Sequence, residues 1–323
     1  MDKFKKKIPA SIAIFGASGH IGKPMARWLS YHAPDISLRL ITSNPQKVAD
    51  LQKAFPAAEV MVANYYDQSS LVPAVRGMEG LFVNTPGGTD ETAAMGNLVA
   101  AIGDGADLVH LVRQLSAYPS PNPRRVPEYA VGSGRGIETQ HPIAARILHD
   151  SELPVTYLNI GASFMDNFFV MPMLSPGKLT WPSRRVPFID PRDIGEAAAR
   201  ILIDGNARHI HQFHTLNNGH DSLVMEDIVK MMSDTLLMDI EYDSSLEGLR
   251  KVFEPAVQAG KAPPTMPDML WNFFRYEDEN DVAWSMNDCL ERILGRQPVT
   301  MRSWLREHQD ALRQRLQPVS AAF

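Results

Sequence analysis

The chain has one cysteine in 323 residues, Cys289. That excludes an internal disulfide framework and a multi-thiolate metal site, and it fits a reducing compartment. Basic residues are also short. Lys and Arg total 32 against 37 Asp and Glu, a net charge of −5 with a pI near 6.1. A surface that tracks phosphates by bulk charge needs the opposite balance, so no direct nucleic-acid partner is expected. No run approaches 18 apolar residues, which excludes a membrane-crossing helix. Lys3, Lys5, Lys6 and Lys7 before the apolar run Ile8–Phe15 imitate a secretion signal. The run is short, enters Gly16-Ala17-Ser18-Gly19 directly and is followed by Lys23 and Arg27. It reads as a basic tail before a buried strand, and the cytoplasm is the expected location. There is no internal repeat and no low-complexity tract. What remains, 44% apolar and 21% charged residues, is ordinary globular composition.

Periodicity supplies the architecture. β-rich runs at Ser11–Phe15, Ser37–Thr42, Glu59–Ala63, Leu81–Asn84, Leu108–Val112 and Val155–Ile160 predict six strands. Helical spacing begins at Ile21, Met25, Trp28 and Leu29 and returns at Pro45–Phe55, Ser69–Val75, Thr92–Gly103 and near Ile143–Ser151. Strands alternating with helices imply right-handed crossovers and a parallel sheet. The alternation is interrupted from Ser116 to Gly136, a stretch dense in proline and glycine; loops of that length are commonly functional or disordered. Beyond Ile160 it gives way to apolar segments such as Phe164–Leu174 and helices at Met225–Leu237 and Thr300–Leu312. The expected fold class is α/β: a Rossmann-type doubly wound parallel sheet with a smaller C-terminal α+β substrate lobe. The expected division is a dinucleotide-binding domain over 1–160, with contributions from about 186–216, and a lobe formed mostly by 161–323.

The first strand ends in Gly16-Ala17-Ser18-Gly19-His20-Ile21-Gly22, and a helix follows at once. Gly16 permits the tight turn, Gly19 a close approach to a pyrophosphate, and Gly22 close packing of the helix; the helix N-terminus then faces the anion. After the second strand, where NAD sites place a carboxylate for the ribose 2′-hydroxyl, stand Thr42, Ser43, Asn44, Pro45, Gln46 and Lys47. No acid occurs before Asp50. Hydroxyls, an amide and Lys47 suit a 2′-phosphate, so NADP(H) is preferred and NAD(H) is the alternative.

These residues carry a family resemblance. With the glycine loop go Arg39, Asn44-Pro45-x-Lys47, Asn84-Thr85-Pro86, Ser151–Tyr157 and Phe164-Met165-Asp166-Asn167. Val186–Gly195, Gly295–Thr300, Trp304 and Leu305 complete the set. As a set they resemble the NmrA-like family of atypical short-chain dehydrogenases, related to the isoflavone-reductase-like enzymes. The resemblance implies a cleft between sheet and lobe. It puts Asn64 and Tyr65 beside the adenine, Thr85 and Pro86 beside the nicotinamide ribose, and Asn167 at the cleft. There are departures. Ser43 stands for the family's arginine after the second strand, His141 for the lysine many members carry, and Asn159 for an arginine. The Tyr-x-x-x-Lys pair of ordinary short-chain dehydrogenases is absent, since Tyr118 precedes Asn122 and Tyr129 precedes Ser133. Lysine-assisted catalysis therefore does not carry over.

With hydride supplied by a cofactor, the chain must offer position and a proton. His141 is the first candidate donor, on the ordinary histidine pKa near ~6.5; Tyr129 and Tyr118 are the second. Asn84, Gln114 and Ser116 close their strands at the edge where such sheets bind ligands. Arg113 reads as a surface charge and His110 as a core residue. His209, His211 and His214 read as a partly exposed strand with the first two on one face, and no metal site is expected. Ser116, Phe164, Asn167 and Phe168 are candidates for the substrate site. The expected function is an NADPH-dependent reductase of a small, mainly apolar or aromatic quinone, enone or carbonyl. The alternatives are a non-catalytic NADP(H) sensor that binds a partner protein, and an isomerase or lyase on the same fold. The apolar lobe faces either a substrate pocket or a twin subunit in a homodimer.

Overall fold

A computed structural model describes residues 4–116, 137–279 and 285–317. Its first half is β1 (Ser11–Phe15), α1 (Gly22–His32), β2 (Ser37–Thr42), α2 (Val48–Ala54), β3 (Glu59–Val62), α3 (Gln68–Val75), β4 (Gly80–Val83), α4 (Glu91–Gly105), β5 (His110–Leu115), α5 (Ile137–Asp150) and β6 (Val155–Ile160). Then come β7 (Ser163–Phe164), α6 (Asn167–Val170), β8 (Leu174–Ser175), β9 (Lys178–Thr180), β10 (Val186–Ile189), α7 (Pro191–Ile203), β11 (Phe213–Leu216) and β12 (Ser222–Leu223). The chain continues with α8 (Met225–Leu236), β13 (Glu241–Asp243), α9 (Leu246–Gln258), α10 (Met266–Glu279), α11 (Cys289–Leu294), α12 (Met301–Glu307) and α13 (Gln309–Leu316).

Seven strands form one parallel sheet in the order β3-β2-β1-β4-β5-β6-β11. This is a doubly wound Rossmann-type fold, and the order reverses between β1 and β4, where such sheets open a crevice. The central strands are apolar on both faces because helices cover both. One core joins Ile12, Ile14 and Leu40 to α1, α7 and α11; the other joins Ala13, Phe15 and Leu81 to α3, α4 and α5. The short sheets β12-β10-β7 and β13-β9-β8 belong to the second lobe, whose core holds Met165, Phe168, Trp181, Phe253 and Trp304.

Residues 190–195 tie the two parts together. Asp190 caps α7 by accepting from the Arg192 N–H at 2.8 Å. Buried Asp193 accepts from Arg296 Nη2 at 2.6 Å and from the Val299 N–H at 2.7 Å, which fixes the C-terminal turn. A Cβ on Gly195 would lie 2.8 Å from the Ile21 carbonyl oxygen, so glycine is what allows α7 to press against the start of α1.

Two expectations need correcting. Arg113 is not a surface charge: its side chain is fully buried, because β5 is an interior strand covered on both faces. The histidine triplet is not one strand either. His209 ends a 3-10 turn, His211 takes a left-handed φ of 60°, and only His214 lies on β11. The turn brings His209 Nδ1 within 3.0 Å of His214 Nε2, a pairing that strand alternation does not give. His110 is a core residue, with Nε2 2.8 Å from Thr156 Oγ1.

Candidate dinucleotide site

A cavity of about 780 Å³ opens over the carboxyl ends of β1, β2, β4 and β5. The glycine loop forms one wall. Gly16 has a φ of +70°, and a Cβ there would lie 2.4 Å from Asn84 Oδ1. A Cβ on Gly22 would lie 2.5 Å from the Gly16 carbonyl oxygen, so the loop can fold down onto the helix only with glycine at both ends. Ile21, the N-cap of α1, has no polar side chain with which to cap the helix, and it lines the cavity.

Of the residues singled out from the sequence, Gly16, Ser18, Gly19, His20, Ile21, Thr42 and Ser43 line this cavity. So do Asn64, Tyr65, Asn84, Thr85, Pro86, Gln114, Ser116, His141 and Phe164. Four others lie off its wall. Gly22 packs beneath the loop, and Lys47 is exposed in the turn before α2. Asn167 begins α6, and Phe168 is buried in the second lobe with its ring 5.9 Å from Trp304. Tyr118 and Tyr129 fall outside the described residues. Tyr66, Gly87, Thr89 and Ala162 also line the cavity and were not anticipated.

The edge at β2 carries hydroxyls. Ser18 Oγ and Thr42 Oγ1 lie 3.5 Å apart, while Asn44 uses its side-chain oxygen to cap the following turn through the Gln46 N–H. Next along the rim, Tyr65 stacks on Phe15 at 5.3 Å and donates its hydroxyl to the Asn84 carbonyl at 2.9 Å. Burial pushes the Tyr65 phenol well above its ordinary range, so it remains a donor.

Beneath the Thr85–Gly88 turn lies a buried polar network that the sequence reading missed. Arg113 Nη2 donates to Thr85 Oγ1 at 2.7 Å and to Glu91 Oε1 at 2.9 Å. Gln140 Nε2 donates to Glu91 Oε1 at 2.9 Å and to the Pro86 carbonyl at 2.8 Å, and its Oε1 accepts from the Gly88 N–H at 2.8 Å. Thr85 donates to Glu91 and accepts from Arg113, so its proton is already committed to the network. Any ligand beside it meets the turn's backbone instead. A signal existed: Glu91 falls on the apolar stripe Ala94, Met95, Leu98, Ala101 and Ile102. A carboxylate on such a stripe calls for a buried cation.

His141 stands beside this network on α5. Burial, reinforced by the charge of Arg113, pushes its imidazole down to about 3. The ring is therefore neutral at pH 7, which corrects the premise of an ordinary histidine pKa. Its buried Nδ1 has no partner among the described residues. His110 is likewise pushed down to about 3 by burial, and His209 to about 4, also chiefly by burial. Each folded pKa lies below the unfolded value near ~6.5, so the unfolded chain takes up protons first. Stability from these groups is intact above that value. It falls as pH drops from about 6.5 toward 4, by on the order of 1 kcal/mol per pH unit for each histidine. Urea midpoints across that window check it, and His110→Gln should flatten the dependence.

The NmrA-like family model matches residues 9–112, which bears out the resemblance over that segment. The chain is 38% identical over 73 residues to the NmrA-like family domain-containing oxidoreductase hkm9 of Aspergillus hancockii, covering 23% of this chain and 22% of that protein. It is 33% identical over 110 residues to the NmrA-like family domain-containing oxidoreductase FrzB of Cladobotryum sp., covering 31% and 32%. The chain thus matches less than a third of the length of either curated relative. Solved structures extend the likeness of fold to nearly the whole chain. The NADPH complex of the quinone oxidoreductase QOR2 from Escherichia coli aligns with a TM-score of 0.71 at 20% identity, covering 92% of this chain and 99% of that one. The triphenylmethane reductase of Citrobacter sp. with NADP(H) gives 0.71 at 19%, covering 93% and 99%. The negative transcriptional regulator NmrA with NADP gives 0.67 at 17%, covering 96% and 97%. No helix among the described residues is long and apolar enough to cross a membrane.

Proposed function

We propose that this chain is an NADPH-dependent reductase of a small, mainly apolar or aromatic acceptor such as a quinone, enone or carbonyl. The observation that carries the proposal is one cavity that joins three features. These are a glycine cradle a Cβ would fill, a β2 edge with hydroxyls in place of a carboxylate, and a neutral histidine on the wall. The named functions of the oxidoreductase relatives and of the quinone and dye reductases of like fold support it.

NADPH, when bound, supplies the hydride. The loop around Gly16 and Gly19 and the start of α1 would hold the diphosphate. Ser43 and Thr42 would meet the 2′-phosphate, and Asn64 and Tyr65 would flank the adenine. The Thr85–Gly88 turn, fixed from below by Gln140 and Arg113, would hold the nicotinamide end. His141 would hydrogen-bond the acceptor's oxygen as charge develops on it. A neutral imidazole does this as a fixed donor, and the reduced oxygen takes its proton from solvent. Phe164 and Ala162 would supply the apolar side of the acceptor site.

Two changes test the assignment. Ser43→Asp should reverse the cofactor preference, weakening NADPH by roughly tenfold or more while improving NADH, because it restores the carboxylate of NAD sites. Calorimetric titration with both cofactors checks it; equal effects on the two would remove the β2 edge from the account. His141→Phe should lower kcat by about a hundredfold on a quinone panel, with little change in NADPH affinity. Unchanged turnover would leave His141 without a catalytic role.

The missing Tyr-x-x-x-Lys pair and the low pKa of His141 favour a second reading, an NADP(H) sensor that signals to a partner. The regulator NmrA shares the fold. Tight NADPH binding without oxidation by any acceptor would select this reading.

A further inference from the structure

His20 belongs to the glycine loop and lines the cavity, yet its side chain is held by the second lobe. Its Nδ1 lies 2.9 Å from Asp166 Oδ2, across 146 residues of sequence. Its ring meets Phe164 edge-on, with centroids 4.9 Å apart and planes at 82°. Because the carboxylate can only accept, Nδ1 carries the proton. Asp166 is the N-cap of α6 but makes no side-chain cap there. An aspartate in that position ordinarily caps its own helix, for about 1 kcal/mol. Here the carboxylate faces His20 instead, and its second oxygen, Oδ1, is buried with no partner among the described residues. The segment it anchors is Phe164–Asn167, part of which lines the cavity. That segment is tied to the fold through the Met165 N–H and the Ile189 carbonyl at 3.0 Å.

We infer that His20 and Asp166 form a latch through which a diphosphate bound at the glycine loop sets the position of Phe164–Asn167, the acceptor-facing edge of the second lobe. The inference rests on the dinucleotide reading of the cavity and adds coupling to it. When the diphosphate is bound, the ring bridges it to Asp166, with one ring N–H on a phosphate oxygen and the other on the carboxylate. Cofactor binding thus stiffens the lobe, and by linkage an acceptor held by the lobe tightens the cofactor.

Hydrogen exchange with and without saturating NADPH, combined with calorimetry, tests this on the full chain. In the wild type NADPH should slow exchange both at the glycine loop and across residues 163–171. His20→Ala and Asp166→Ala should each bind NADPH about tenfold more weakly, the scale of one charge-assisted hydrogen bond. At saturation both should protect the loop but no longer 163–171. The double variant should bind no more weakly than His20→Ala, and Asp166→Asn, which keeps an acceptor, should recover part of the protection. Binding with undiminished protection of 163–171 in the single variants, or fully additive losses of affinity, overturns the latch and leaves the cofactor site standing. A wild type that does not bind NADPH overturns both.

Discussion

Gly22→Val is expected to abolish measurable NADPH binding, a loss of at least a hundredfold. The added Cβ would sit 2.5 Å from the Gly16 carbonyl oxygen and 2.9 Å from the Ala17 Cα, both backbone atoms. Neither can turn aside as a side chain would, so the loop must lift from α1. Lifting it moves the amides that would receive the diphosphate, and a shift of order 1 Å is enough to cost such an effect. The helix itself tolerates the change better than the loop, since Gly22 is its first residue. Gly96→Ala is the control. It lies within α4 with open space where its Cβ would go, so alanine there should be neutral or stabilising by up to about 1 kcal/mol. Calorimetric titration separates the two variants, and thermal unfolding shows whether the Gly22 protein is still folded. Retained affinity in a folded Gly22→Val protein would mean that the loop does not form the anion cradle.

Arg113→Met should destabilise the fold by about 3–5 kcal/mol. Glu91 has no exposed side-chain surface, and Arg113 is its only cationic partner among the described residues. Removing the guanidinium leaves a buried carboxylate that must either stay charged without a counter-ion or take up a proton. The remaining donors, Gln140 and Thr85, cannot neutralise it. The pair is not thereby a large net source of stability, because desolvating two charges offsets most of their attraction. The double variant Arg113→Met with Glu91→Gln should therefore recover much of the loss. Urea unfolding of the two single variants and the double variant measures this coupling. Additive effects would contradict it. Since the network also holds the Thr85–Gly88 turn through Gln140, the single variant should lose NADPH affinity as well.

How much of this was readable beforehand follows from where each signal comes from. Ser11–Phe15, Ser37–Thr42 and Val155–Ile160 were placed to the residue, because buried parallel strands are apolar runs bounded by turn residues. The glycine loop was legible because its requirements are local: a positive φ at Gly16 and a close approach at Gly22 depend on neighbours in sequence. Arg113, Glu91 and Gln140 were not, because their pairing joins β5, α4 and α5 across long separations, and a charged residue alone in a strand looks like surface. Phe168 shows the converse. An aromatic after a glycine turn reads equally well as pocket or core, and only the packing of Trp304 against it decides for core. His141 stands out by its place in the chain, yet its neutrality comes from burial beside Arg113, which no local pattern encodes.

The central claim is that the cavity over β1, β2 and β4 is an NADP(H) site. Calorimetric titration of the purified wild-type chain with NADPH and with NADH tests it most directly. The account predicts micromolar or tighter binding of NADPH, several-fold weaker binding of NADH, and loss of both in Gly22→Val. No binding of either cofactor at micromolar concentrations, or identical binding by wild type and Gly22→Val, would contradict it.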